Sequence, residues 1–268
     1  MIGYICIVPD LVGCGSTAEL PICYLQHKNT ARVSVDMRLA ADEFIYNHYH
    51  HHLPKESILF GYSLGGSIAM SLAREYQLHP EYGVTVTDIF AGGGAYEPLE
   101  VVKAQLEMNR SDYAIIPNIL WSMNYYDKLN LDFDNIFIGP LKDNYNDWCT
   151  GYVPIAQMTQ QLGTTISGYF SESFLNEYDT AEKYRPLMKA LTEKTLPLDW
   201  VPKAKVHLAH ADEDYYVPTV CGDRMYEYLK NSGADVEYKK YNAHHVLAGL
   251  LMGVDFAYFL MNKHNFLK

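Results

Sequence analysis

Apolar and polar positions alternate with two different periods along this chain. Tyr4 to Val8 is a short apolar run rich in β-branched residues, stopped by Pro9, which reads as a buried strand. Asp10 to Ser16 is a glycine-punctuated loop. From Ala31 to about Tyr49 the period becomes helical: Val33, Met37, Ala40 and Phe44 fall on one face, with Thr30 as the N-cap. Ser57 to Phe60 is the next strand. It runs through Gly61 into a helix whose apolar stripe is Ala69, Leu72, Ala73 and Tyr76. Val84 to Phe90 is a strand closed by Gly92-Gly93-Gly94. The stretch from Tyr96 to Val201 is tyrosine-rich, with amphipathic pieces such as Val102–Met108 and Leu187–Leu191, and reads as inserted helices. Alternation then resumes: strand Lys205–Ala209, helix Thr219–Lys230 stopped by Gly233, strand Val236–Tyr241 and helix Val246–Met261. Strands alternating with helices predict an α/β fold, a mostly parallel sheet with helices on both faces. The expected division is a sheet domain of residues 1–95 and 202–268, interrupted by a helical cap of residues 96–201.

The chain has 268 residues, enough to bury a core without disulfide staples. Its formal net charge of −11 argues against a nucleic-acid partner, because nothing would neutralise a phosphate backbone. The five cysteines (Cys6, Cys14, Cys23, Cys149 and Cys221) are odd in number and irregularly spaced, so neither a disulfide framework nor a zinc site is indicated. His48, His50, His51 and His52 lack the spacing of a metal set and read as a solvated helix end. No apolar run reaches the roughly 18–20 residues that span a bilayer. No basic leader precedes the first apolar run, and the compartment is left open.

The informative segment is Gly61-Tyr62-Ser63-Leu64-Gly65, a G-x-S-x-G sequence between a strand and a helix. A serine at the tip of such a turn is strained and lifted above the sheet. Glycine at both flanking positions is expected, because side chains there would collide with the neighbouring strand and helix. The same turn aims the amide of Leu64 and the helix N-terminus at the spot where negative charge would develop on a substrate oxygen.

On these residues the chain resembles the α/β-hydrolase superfamily, and within it the capped serine esterases and lipases of bacteria and fungi. Val8-Pro9-Asp10-Leu11-Val12-Gly13-Cys14-Gly15-Ser16 is similar to the loop after that fold's fourth strand. His210-Ala211-Asp212-Glu213-Asp214-Tyr215-Tyr216-Val217-Pro218 is similar to its acid-bearing loop, departing from the pattern at Ala211, where glycine is usual. The resemblance implies the chain order serine, acid, histidine. Asp214 matches the acid position, with Asp212 the second choice. Of the adjacent pair that precedes the last helix, His245 fits the base position better, with His244 the second choice.

The resemblance implies a serine hydrolase acting on small carboxylic esters through an acyl-enzyme. Ser63 would be the nucleophile, His245 the base, Asp214 its orienting acid and the Leu64 amide the oxyanion donor. No cofactor and no metal are implied, and the oligomeric state is left open. A serine peptidase of the prolyl-oligopeptidase kind and a weakly active or non-catalytic binding protein are the alternatives. The resemblance also places three strands and the first helix ahead of Met1, with a second oxyanion amide on the loop that the third strand carries. The expectation is therefore an N-terminally truncated α/β-hydrolase fold. Either Tyr4–Val8 pairs directly with Ser57–Phe60, or the sheet edge is exposed.

Overall fold

The computed structural model describes residues 3–196 and 199–263. Its sheet has four parallel strands in sequential order: β1 (Glu56–Tyr62), β2 (Thr85–Gly92), β3 (Lys205–Glu213) and β4 (Val236–His244). The side chains of the central strands alternate as a two-residue period requires. Ile89, Ala91, Val206 and Leu208 face one side, where they meet Ala69 and Met70 of helix α2 (Leu64–Leu78) and Met225 and Leu229 of α10 (Thr219–Asn231). Phe90, Ala209 and Ala211 face the other, against Ala248 and Met252 of α11 (His245–Lys263). Helices therefore cover both faces, as the pattern predicts. α11 is long and apolar enough to pass for a membrane span by composition. Here it lies on the sheet, with Phe256 stacked 4.6 Å from Phe60 and tilted against Phe90 at 4.9 Å.

Between β2 and β3 run α3 (Pro98–Met108), α4 (Ile115–Asp127), α5 (Phe133–Ile136), α6 (Gly139–Trp148), α7 (Ile155–Leu162), α8 (Glu172–Glu177) and α9 (Arg185–Glu193). They share one apolar core, which includes Ile116, Ile119, Phe137, Phe170 and Leu187, with Tyr24, Leu25 and Cys221 joining it from outside the insertion. Val217 belongs to that core and Leu64 packs against it. Both residues stand just beyond the C-terminal ends of strands, so the inserted helices rest on that end of the sheet.

Three expectations are corrected. Tyr4–Val8 is not a strand: it joins no sheet among the described residues, and Ile5 and Val8 are 59% and 73% exposed. Apolar composition supplies side chains for a strand but not the neighbouring strand that its amides and carbonyls need. β1 is consequently an edge strand among the described residues, and the exposed-edge alternative is the one observed. Helix α1 (His27–Tyr49) begins earlier than expected, with Gln26 rather than Thr30 at the N-cap. Its buried face is also different. Thr30, Ala31, Ser34 and Val35 are covered, Val35 meeting Tyr76 and Val84, while Met37 and Phe44 are exposed. The face that packs inward carries Thr30, Ala31, Ser34 and Val35, which leaves Met37 and Phe44 facing outward.

Candidate active site

The site is built where β1, β3 and β4 end. Ser63 follows β1 directly and adopts φ 58° and ψ −125°, a left-handed conformation that a side chain makes costly. Two backbone hydrogen bonds hold it there: Ser63 N–H donates to the Gly92 carbonyl at 2.8 Å, and Gly66 N–H to the Ser63 carbonyl at 2.9 Å. The turn is possible because backbones touch. A Cβ on Gly61 would lie 1.9 Å from the Gly65 carbonyl oxygen, and one on Gly66 would lie 2.5 Å from that of Gly92. The expectation for Gly65 itself is corrected, because a side chain there would meet nothing within 4 Å. Glycine is required at positions 61 and 66. Leu64 opens α2, so its amide lies in the first turn, where amides lack an intrahelical partner.

Strand register brings Asp214 and His245 together. Glu213, the last residue of β3, is paired with His244, the last residue of β4. The residues that come next on each strand therefore emerge side by side. Asp214 Oδ2 accepts a hydrogen bond from His245 Nδ1 at 2.6 Å, and both side chains are buried. The neighbours that competed for these assignments face away: Asp212 and His244 are both exposed. Ser63, Asp214 and His245 thus share one end of the sheet, but among the described residues nothing forms a hydrogen bond with Ser63 Oγ. Such contacts are commonly long before substrate arrives.

The carboxylate is densely satisfied. Asp214 Oδ1 accepts the N–H groups of Tyr216 at 2.9 Å and Val217 at 2.8 Å. Oδ2, besides His245, has His210 Nε2 at 3.4 Å. Burial pushes this carboxyl up, but the hydrogen bonds from His210 and His245 outweigh it and lower it from 3.8 to about 2. Asp214 is therefore an anion throughout the neutral range, which fixes a proton on His245 Nδ1 and leaves Nε2 as the free lone pair. His210 is completely buried. Its Nε2–H donates to the Val217 carbonyl at 2.9 Å, and its Nδ1 has no partner.

Residues that the sequence did not single out complete the surroundings. Tyr62 donates its hydroxyl to the His245 carbonyl at 2.7 Å and sets its ring 5.0 Å from the imidazole. Tyr216 stacks on the same imidazole at 4.9 Å. A Cβ on Gly93 would stand 3.1 Å from His245 Cε1, so the glycine run after β2 makes room for the ring. The available signals were the position of Tyr62 inside the G-x-S-x-G turn and that of Tyr216 two residues after Asp214.

No protein-family model matches the chain, and no curated protein matches it by sequence. Solved structures do. A Legionella pneumophila protein described as a hydrolase superposes with a TM-score of 0.78 at 23% identity, over 97% of this chain and 70% of that one. The rice cell wall degrading esterase LipA of Xanthomonas oryzae gives 0.76 at 19% identity, over 94% and 69%. Candida antarctica lipase A in its closed state gives 0.63 at 15% identity, over 90% and 56%.

The fold is that of the α/β-hydrolases.

At these identities the likeness is one of architecture, and the chain covers 56% to 70% of these proteins' lengths.

Proposed function

We propose that this chain is a serine hydrolase of carboxylic esters working through an acyl-enzyme. The observation that carries the reading is the strained Ser63 turn standing at the same sheet end as the buried 2.6 Å pair of Asp214 and His245. Ser63 Oγ attacks the ester carbonyl while His245 Nε2 takes its proton. Asp214 holds the imidazole tautomer and stabilises the imidazolium. The Leu64 amide, with the α2 N-terminus behind it, donates to the oxyanion. Protonated His245 then releases the alcohol, and water repeats the cycle in reverse. The esterase and lipase among the matching structures support the ester substrate. The helices of residues 96–201 act as a lid that keeps water from Ser63, because their core includes Val217 and receives Leu64.

Leu64 is the single oxyanion donor assigned among the described residues. Removing an oxyanion donor of this kind costs about 2.7–4 kcal/mol of transition-state stabilisation, or roughly 10²–10³ in rate. Covalent trapping tests the nucleophile directly. A fluorophosphonate probe should label the chain at Ser63, located by peptide mass spectrometry. The Ser63→Ala chain should take up no label and lose p-nitrophenyl ester turnover by roughly 10⁵–10⁶. Labelling elsewhere, or none in the unaltered chain, would overturn the reading.

A further inference from the structure

The imidazole of His245 is held from three directions. Asp214 grips Nδ1 at 2.6 Å. The Tyr62 ring leans on it at 5.0 Å with a 51° tilt. The Tyr216 ring stacks on it 4.9 Å away at 27°. Behind Tyr216 stands Tyr113, 5.0 Å away and only 8° from parallel. Three rings are thus stacked in series, and the outermost belongs to the segment between α3 and α4.

Tyr216 is unusually well fixed. Its N–H donates to the same carboxylate that holds His245, and its carbonyl accepts Gln105 Nε2 at 2.5 Å. Gln105 is completely buried on α3. Next to it, the Tyr215 carbonyl accepts the Asp112 N–H at 3.3 Å, and the Arg110 guanidinium covers the Tyr215 ring at 4.0 Å. Burial, with Asp112 and Asp214 adding to it, keeps the Tyr216 phenol protonated, and burial does the same for Tyr113. The stack therefore offers neutral phenol faces. Such a face attracts a cation through the ring quadrupole and distinguishes an imidazolium from an imidazole.

We infer that Tyr216, backed by Tyr113, is a positioning residue for His245: its ring fixes the plane of the imidazole and favours the imidazolium formed when Ser63 gives up its proton. The inference rests on the serine-hydrolase reading of this site. The charged groups around the imidazole are few. Asp214 faces it directly, and His210 reaches it only through Asp214. Asp112 lies beyond Tyr216, paired with Arg110 at 2.8 Å.

The test is the rate at which an alkyl fluorophosphonate modifies Ser63, followed by intact mass from about pH 5 to about pH 9. In that reaction Ser63 Oγ bonds to phosphorus, the P–F bond breaks, fluoride leaves and the hydroxyl proton passes to His245. Tyr216→Phe keeps the aromatic face and should stay within about twofold of the unaltered chain. Tyr216→Leu should lower the plateau about tenfold and move the acid limb down by about half to one pH unit. Tyr113→Leu should change both in the same direction and by less, and it carries the test should Tyr216→Leu fail to fold. An unchanged profile in the leucine variants overturns the inference. So does a lower plateau with an unmoved acid limb that phenylalanine does not restore, since that is loss of packing alone. An unaltered chain that takes no label at Ser63 overturns the hydrolase reading and the inference with it, a result distinct from normal labelling with indifferent variants.

Discussion

Replacing Asp214 with asparagine changes one atom and separates the two tasks of this side chain. In Asp214→Asn the amide oxygen can still accept the N–H groups of Tyr216 and Val217, which bond Oδ1 in the unaltered chain. The NH₂ then faces His245 Nδ1 and His210 Nε2, where a carboxylate oxygen stood. A donor opposite Nδ1 drives the imidazole proton to Nε2, and the lone pair meant for the Ser63 proton is lost. The rate of Ser63 modification should fall about 10⁴-fold while the fold persists. Stability gives a second, independent reading. The carboxyl is lowered from 3.8 to about 2, which corresponds to about 2 kcal/mol. Because the folded value is depressed, this contribution is fully present above about pH 4 and is lost as pH falls through about 2. Urea unfolding of both proteins at a series of pH values should show the gap between them closing by about 2 kcal/mol between about pH 4 and about pH 2. A gap that stays constant across that window, or a variant modified at the unaltered rate, would refute the assigned role of the pair.

Three further outcomes are expected. His244 is exposed and His245 is buried against Asp214, so His244→Ala should retain most of the labelling rate and His245→Ala should lose it; the reverse order would shift the register of the last loop by one residue. A Cβ at position 65 has free space, whereas one at position 66 meets the Gly92 carbonyl at 2.5 Å, so thermal melts should show Gly65→Ala at or slightly above the unaltered chain and Gly66→Ala about 1–3 kcal/mol below it, with equal melting of the two counting against the turn described. The edge of β1, unpaired among the described residues and carrying the 42% exposed Phe60, should promote self-association; a light-scattering mass that stays monomeric as concentration rises would contradict that.

The elements legible in the sequence were those whose local pattern and tertiary surroundings agree. Ile89 and Phe90 go to opposite faces as a two-residue period demands, and Ala69, Ala73 and Tyr76 are buried on α2. The helical period of Val33, Met37 and Phe44 identifies α1 but not its buried side, because that side is selected by the packing of Val35 against Tyr76 and Val84, which lie far away in sequence. Tyr4–Val8 was misread for the related reason that a strand forms only beside another strand. Within the site, G-x-S-x-G marked the turn, yet the packing that makes position 66 glycine comes from Gly92 on another strand. Asp214 beside His245 arises from the pairing of Glu213 with His244, a register no local pattern contains. The stacking of Tyr216 on His245 and the bond from Tyr62 join residues 29 and 183 positions apart, and only the folded sheet end brings them together.

The two halves of the proposed machinery differ in how far they are assembled. The acid and base are buried, bonded at 2.6 Å and surrounded by aromatic rings. Ser63 stands on a strained turn whose hydroxyl is held by nothing among the described residues. The link between the halves is apolar. Val217 gives its N–H to Asp214 and its carbonyl to His210, and its side chain is part of the core of the inserted helices. Leu64, whose amide is the assigned oxyanion donor, packs against that same core. The acid loop and the serine turn therefore share one foundation, although they leave different strands. A change that loosens this core should disturb the orientation of His245 and the oxyanion donor together, whereas one confined to the exposed side of α1 should disturb neither. The inserted helices thus support the proposed site in two ways: their core takes in Val217 and Leu64, and their residues Gln105 and Tyr113 hold Tyr216.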